Sequence, residues 1–196
     1  NIEGVESVTP TSIAFDRLNI DKNTRKMFVG TGVTEDYFKI SNYTIIKGRK
    51  FLPNEYRKDG KYLLLDSTTA ETMFPDGNPI GQKITINFRQ NSQTVTIVGI
   101  YKDPFASLSG LGGGGGRGVP ASGLLPNQYL NHINGNEQDK YTELQAKAID
   151  ANSLSTVMSR VNRSLVNRGS EKDIYSVSSS SQGLDQFNNI LNMLTL

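Results

Sequence analysis

Residues that could form a metal or thiolate site are few in this 196-residue chain. It contains no Cys and one His, His132. Thiolate catalysis, zinc fingers and iron–sulfur ligation are therefore excluded, and histidine-rich metal sites cannot be built from a single imidazole. His132 follows Pro126 in a short polar–apolar segment, where an exposed position on a helix is the ordinary interpretation. Any catalysis would depend on carboxylates, Lys, Tyr or Ser, and we expect no metal and no cofactor.

Signatures of a nucleophile or an acid–base pair are also missing. No serine stands in a GxSxG or SxxK pattern. Glu35 and Asp36 are adjacent, so on a helix they point about 100° apart and suit the positive N-terminal end better than paired catalysis. Arg160, Arg163 and Arg168 lie off the apolar stripe of a predicted helix, as expected for a solvated face. These residues predict a non-catalytic fragment.

The glycine run from Gly110 to Gly118 contains a literal GxGxxG. A dinucleotide site needs these glycines between a strand and a long helix, whereas Val119-Pro120 follows here. A run of glycine adds backbone entropy and no side chain to bury, which favours a mobile loop or a boundary between lobes.

Apolar residues on and beside the glycine run make it a candidate contact tip. Loops lie at the surface and often bind partners. We therefore take as candidate partner-binding residues Phe105, Leu108, Leu111 and Arg117. A plain linker is the alternative interpretation of this segment.

Composition limits the class of protein. The chain has 21 basic and 19 acidic residues and a net charge of +2, which argues against a nucleic-acid partner. It contains no run of about 18 apolar residues that would cross a bilayer. Because it opens at Asn1 without Met or a leader pattern, we expect a fragment of a longer protein.

Apolar periodicity predicts strands and helices along the chain. The predicted strands cover about residues 5–18, 26–32, 62–65, 83–89, 94–101, 141–149 and 174–178. Four helices are predicted at about residues 34–40, 67–74, 154–165 and 184–196. We expect the Thr34 hydroxyl to cap the first helix, and Asp150 or Asn152 to cap the third.

The length and type of the predicted elements change near residues 44 and 118. Short strands and turn signals fill the middle, whereas helices and longer segments return toward the chain ends. We therefore predict an α+β fold with two lobes. Residues 1–44 and 118–196 would form a discontinuous lobe of strands and helices, and residues 45–117 a smaller inserted β-rich lobe that ends in the Gly-rich loop.

Six short motifs occur in a specific order across about a hundred residues. They are VESVTP (5–10), VTEDYFKI (33–40), YTIIKGRKF (43–51), LLLDSTTAETMF (63–74), PIGQKITI (79–86) and TVTIVGIYKD (94–103). Together they resemble the extracytoplasmic core domain of MacB-like ABC transporter permeases, a group related to FtsX and LolC/LolE. Within the motifs, the glycines suit tight turns, and the core candidates are Phe51, Ile80, Ile84 and Ile86.

The resemblance implies a domain between the first and second transmembrane helices of a bacterial plasma-membrane permease, at the cell surface or in the periplasm. The discontinuous lobe would be porter-like. ATP hydrolysis by the parent transporter would move the domain, which itself would carry no ATP site. The implied partners are the parent's transmembrane helices and ATPase, a membrane-fusion or other accessory protein, and an exported peptide, lipid or drug. We expect a homodimeric parent and a monomeric fragment.

Two other classes stay open at this point. A standalone extracellular ligand-binding or sensing module would show an apolar pocket with convergent polar groups. An enzyme using carboxylates would show a cleft with acids of shifted pKa. A looped-out domain predicts in addition that Asn1 and the helix ending at Leu196 leave the same end of the first lobe, roughly 10 to 15 Å apart.

Overall fold

The computed structural model describes residues 2–19, 25–88, 91–102, 120–135, 141–167 and 176–179. Within these ranges the chain forms eight strands, four α-helices and one 3₁₀-helix (Pro53–Glu55), which confirms the α+β class. The strands are β1 (Val5–Asn19), β2 (Arg25–Val33), β3 (Thr44–Gly48), β4 (Tyr62–Asp66), β5 (Lys83–Phe88), β6 (Asn91–Lys102), β7 (Ala121–Pro126) and β8 (Glu143–Ala148). The helices are α1 (Tyr37–Ile40), α2 (Ser67–Met73), α3 (Asn127–Ile133) and α4 (Leu154–Asn167). No helix in the described ranges is long and apolar enough to cross a membrane.

The strands form one sheet in the order β2-β7-β4-β6-β5-β1-β8, and β3 pairs with β6. Because β1 also pairs with β2, six strands close into a ring. The β2–β7 and β4–β6 pairs are parallel, whereas the β1–β2, β4–β7, β5–β6 and β1–β5 pairs are antiparallel. Ring closure leaves β2 with a strand partner on each edge.

Two buried clusters use alternate residues of the same strands. Leu63 and Leu65 of β4 belong to the larger cluster, and Leu64 between them belongs to the smaller one. Successive side chains of a strand point to opposite faces, so the clusters lie on opposite faces of the sheet. Helices α2 and α3 contribute to the larger cluster through Ala70, Tyr129 and Leu130. The sheet is therefore apolar on both faces. Any part of it that no other element covers exposes apolar side chains to solvent.

The core candidates of the family motifs lie as predicted. Phe51, Ile84 and Ile86 are buried, and Ile80 packs half-buried against the larger cluster. Gly48 of the KGRKF segment has a φ of 75°, a backbone conformation that side-chain-bearing residues rarely adopt. These residues confirm that the motifs form turns and core.

The chain divides into two compact units, Val8–Gln145 and Asn1–Ser7 with Ala146–Leu196. One unit is thus built from both chain ends, with the other between them. The boundaries differ from those expected at 44/45 and 117/118. Leu18 and Leu124, expected in the terminal lobe, pair with Ile86 and Leu64 of the expected insert, and these long-range ladders place them in one unit. The porter-like character of the discontinuous unit stays a prediction.

The discontinuous unit is held by contacts between its two chain segments. Arg160 of α4 donates to the Glu3 carbonyl oxygen at 2.9 Å and pairs with the Glu3 carboxylate at 3.1 Å. The Ile149 amide donates to the Gly4 carbonyl oxygen, and Lys147 pairs with Glu6 at 3.1 Å. Arg160, expected on a solvated face, is therefore half-exposed and connects the two chain segments of this unit.

Two local predictions are corrected by the structure. The N-cap of α1 is Asp36 and makes no side-chain capping bond, while the Thr34 hydroxyl lies 2.7 Å from the Thr9 hydroxyl. Thr34 is thus used in a long-range contact and does not cap the helix. The described residues 176–179 form no strand, although one was predicted over 174–178.

The other predicted strands and helices are found where the structure describes them, whereas the sequence pattern predicts neither β3 nor β7. The Asp150 carboxylate accepts from the Ser153 amide, which precedes the first residue of α4, so this bond closes the turn before the helix and does not cap its first turn. The predicted terminal helix, the glycine run and Asn1 lie outside the described residues, so the expected separation of the chain ends stays a prediction.

Candidate functional site

The residues selected from the sequence as partner contacts all fall in one segment. Phe105, Leu108, Leu111 and Arg117 belong to residues 103–119, which lie outside the described residues. Their role stays a prediction.

The residues weighed for chemistry are not brought together. His132 is exposed on α3, as predicted, and Asp36 pairs with Lys39 at 2.6 Å on the exposed side of α1. Arg163 is exposed on α4, and Arg168 lies outside the described residues. Among the residues that the structure describes, no group of three or more His, Cys, Asp or Glu side chains could hold a metal ion.

Glu55 has a pKa below its ordinary value, and its surroundings explain why. Arg49 donates to both carboxylate oxygens, at 2.7 and 2.8 Å, and the Leu52 amide donates at 2.8 Å. The bonds from Arg49 are the main cause of the lowered pKa, and the Leu52 amide and the Arg49 charge act in the same direction. A buried carboxylate held ionised in this way fixes the loop after β3 and is unsuited to donate a proton.

An exposed apolar surface is formed by the β1–β2 hairpin. In the antiparallel register Ile13 faces Thr31, Phe15 faces Val29 and Arg17 faces Met27. Paired residues share a face of the sheet, and so do residues two apart along one strand. Four of the side chains on this face are large and apolar. We call them the apolar strip: Ile13, Phe15, Met27 and Val29.

The apolar strip is open to solvent. The residue exposures are 70% for Phe15, 53% for Met27 and 36% for Ile13, and Val29 is half-buried. An isolated exposed apolar residue is ordinary, but large apolar side chains grouped on paired strands mark an interaction site. The apolar strip is therefore the strongest candidate for a contact surface in the described part of the chain.

The opposite face of the same hairpin anchors it. Ala14, Leu18 and Phe28 alternate with the residues of the apolar strip and belong to the larger buried cluster. Leu18 and Phe28 are fully buried. The hairpin backbone is thus fixed from one side, so the apolar strip is presented by a rigid sheet.

Basic residues lie at one end of the apolar strip. Arg17 follows Phe15 on the same face, and Arg25 faces Asn19 one position beyond it. Both arginines are exposed. In the described part of the hairpin this face carries no carboxylate, because Asp16 belongs to the alternate set of residues.

The sequence carries a signal for this surface, and it lies in strand β1. Strand β1 carries apolar residues on both of its faces. Ile13 and Phe15 lie on one face, and Ala14 and Leu18 lie on the other. A strand of this kind is apolar on both faces, and only a covered face contributes to the core.

The sequence profile of the MacB-like periplasmic core domain matches residues 1–186. This chain belongs to that family. It is therefore an extracytoplasmic domain of a MacB-like ABC transporter permease, as the six motifs indicated.

Sequence relatives of this MacB-like domain include two proteins named macrolide export ATP-binding/permease protein MacB. The one from Neisseria gonorrhoeae is 30% identical over 98 residues, which cover 50% of this chain and 14% of the relative. The one from Vibrio parahaemolyticus is 33% identical over 99 residues, covering 49% and 14%. The matched part is thus about a seventh of each relative's length.

Two solved structures of transporter domains share this fold. The extracellular domain of the noncanonic ABC-type transporter YknZ from Gram-positive bacteria has a TM-score of 0.66 at 16% identity, covering 91% of this chain and 84% of that one. The periplasmic region of MacB from Actinobacillus actinomycetemcomitans has a TM-score of 0.61 at 18% identity, covering 95% and 78%. At these identities the likeness establishes the fold of the MacB-like domain.

Proposed function

We propose that this domain contacts an accessory protein through the apolar strip and passes ATP-driven motion of the parent transporter to that protein. The parent's transmembrane helices and ATPase would supply the motion, and the domain itself would be non-catalytic. The single observation that carries the contact is the exposure of Phe15 and Met27 on a hairpin whose other face is core.

The shape of the surface favours a protein over a small exported molecule. Small ligands bind in concave sites that bury most of their surface. The apolar strip lies on paired strands and presents outward-pointing side chains from one sheet face. A protein can cover such a face with a surface of its own, so the accessory protein is the first candidate and an exported substrate the second.

The proposal of a non-catalytic domain is supported by the surroundings of two described acids. Glu55 is held ionised by Arg49, which is the reverse of the raised pKa that a general acid needs. Asp36 is occupied by Lys39 at an exposed helix start.

The transmission of motion is proposed from the relatives, which are named ATP-binding/permease proteins.

The relatives' names indicate which cargo to test first. They are named for macrolide export. A macrolide is accordingly the first cargo to assay for the parent transporter.

The contact can be tested in cells with the full-length transporter. Phe15 is replaced by the photo-cross-linking residue p-benzoylphenylalanine, and Ile46 of β3, which is 54% exposed, is replaced in a matched control. We expect a discrete protein adduct at position 15 and none of comparable yield at position 46. Adducts of equal yield at both positions, or adducts with lipid alone, would contradict the proposal.

A further inference from the structure

We infer that the partner segment docked on the apolar strip is an amphipathic helix whose acidic end meets Arg17 and Arg25. This inference rests on the proposed function, since it specifies the chemistry of the partner at the same surface. It is carried by three observations on the β1–β2 hairpin: the pairing of its strands, the length of the apolar strip and the position of its charges.

The pairing of the strands disfavours an added β-strand. Strand addition needs a free edge whose N–H and C=O groups can pair with the incoming chain. β2 lies between β1 and β7, and β1 has β5 and β8 on the side away from β2. The Ile13 amide on that side already donates to the Thr142 hydroxyl at 2.9 Å. The partner must therefore recognise outward-pointing side chains, as an amphipathic helix does with its apolar face.

The length of the apolar strip matches a short helix. From Ile13 to Arg17 the strand advances four residues, about 14 Å at the usual rise of a strand. An α-helix covers that distance in roughly nine residues, or two and a half turns. Apolar side chains spaced three and four residues apart on such a helix would meet Ile13, Phe15 and Met27 in succession.

The charges give this helix a direction and a composition. Arg17 and Arg25 share the face of the apolar strip and lie at its end nearest residues 20–24. A carboxylate opposite a guanidinium forms charge-assisted, often bidentate hydrogen bonds. Asp or Glu residues in one terminal turn of the partner helix would therefore fix its register and orientation.

The same charges favour a protein over an anionic membrane. Sequences that bind anionic lipid usually carry clusters of 4 to 8 basic residues, each contributing about 1 kcal/mol near the surface. The described face of the hairpin carries two arginines. Two charges are enough to orient a helix but few for holding a domain on a bilayer.

The test uses the full-length transporter and the protein cross-linked at position 15, identified by mass spectrometry and then purified. The cross-linked segment should be helical, with Asp or Glu within one terminal turn. The variant R17E/R25E should weaken binding of that protein about tenfold, a change expected for losing two rim ion pairs and gaining repulsion. Changing those acids to Lys in the partner should restore the affinity toward R17E/R25E.

The matched control is K47E/K58E, which makes the same change in net charge at two exposed lysines outside the hairpin. Membrane abundance of each variant is measured, and R17Q/R25Q serves if R17E/R25E is poorly expressed. Equal affinity of R17E/R25E and K47E/K58E would overturn the inference. So would a cross-linked segment that is extended, lacks acids or belongs to a second copy of this chain. If the segment is extended or lacks acids but belongs to an accessory protein whose binding F15S/M27S abolishes, the proposed function stands and only the helix chemistry fails; a second copy of this chain would contradict both.

Discussion

Phe15 lies opposite Val29 across the β1–β2 ladder, and its side chain points away from the face that Leu18 and Phe28 bury. The pair is the centre of the apolar strip. Because Phe15 is 70% exposed, it forgoes most of the free energy that burial would give.

Replacing Phe15 and Met27 should leave the domain stable. F15S/M27S is expected to change the free energy of unfolding by only about 1 kcal/mol, the size of the cross-strand contacts that the two exposed side chains lose. Leu18→Ala on the opposite face should cost about 2–5 kcal/mol, because it opens a cavity at a fully buried site. Urea denaturation of the purified domain measures both. A loss above about 2 kcal/mol for F15S/M27S would mean that these side chains serve the fold.

Gly48→Ala should be strongly destabilising for two reasons that controls can separate. The φ of Gly48 is 75°, and a methyl group there would collide with the Val98 carbonyl oxygen. Gly81 has a φ of 84° but open space around it, so Gly81→Ala should lose only the backbone term, about 1–2 kcal/mol. Gly77→Ala meets nothing closer than 3.9 Å and should be nearly neutral. Thermal unfolding should rank Gly48→Ala below Gly81→Ala, and Gly77→Ala highest; equal melting temperatures would refute the collision.

The Arg49–Glu55 pair should make the domain less stable in acid. The pKa of Glu55 is lowered from an ordinary 4.5 by the Arg49 bonds. Its contribution is therefore fully present above the unfolded value and is lost as pH falls from about 4.5 through the lower folded pKa. Glu55→Gln should reduce stability at pH 7 and flatten the decline below pH 4.5. Glu71→Gln on the exposed side of α2 is the control. Parallel acid curves for wild type and Glu55→Gln would contradict this account.

The Gly-rich segment is proposed as a second contact. Replacing Phe105, Leu108 and Leu111 with Ser should lower export by the full transporter, since apolar loop residues commonly bind partners. Cellular accumulation of a macrolide in a strain lacking the natural transporter is the readout. Deleting Gly112–Gly116 without loss of export would identify the segment as a plain linker.

Local patterns in the sequence predict most of the elements and the core, but they predict neither β3 nor β7. Alternation located Ile84 and Ile86, and helical spacing located α4, because both depend on neighbours within a few residues. Thr34 was misassigned because its hydroxyl meets Thr9, a contact that no local pattern encodes. The unit boundaries depend in the same way on long-range pairs such as Leu18 with Ile86.

The candidate site was harder to predict than the fold. A strand that is apolar on both faces does not reveal which face is covered. Helices α2 and α3 contribute to the buried cluster that contains Leu18 and Phe28, while Phe15 on the other face stays exposed. That distinction needs tertiary structure.

The affinity of the purified full-length transporter for the protein cross-linked at position 15 tests the contact through the apolar strip most directly. F15S/M27S should raise the Kd at least about tenfold, because two exposed apolar side chains would lose their burial at the interface. The control I46S/L52S removes side chains of comparable exposure, 54% and 46%, elsewhere on the surface and should leave the Kd unchanged. Equal Kd values for F15S/M27S and wild type would contradict a contact through the apolar strip.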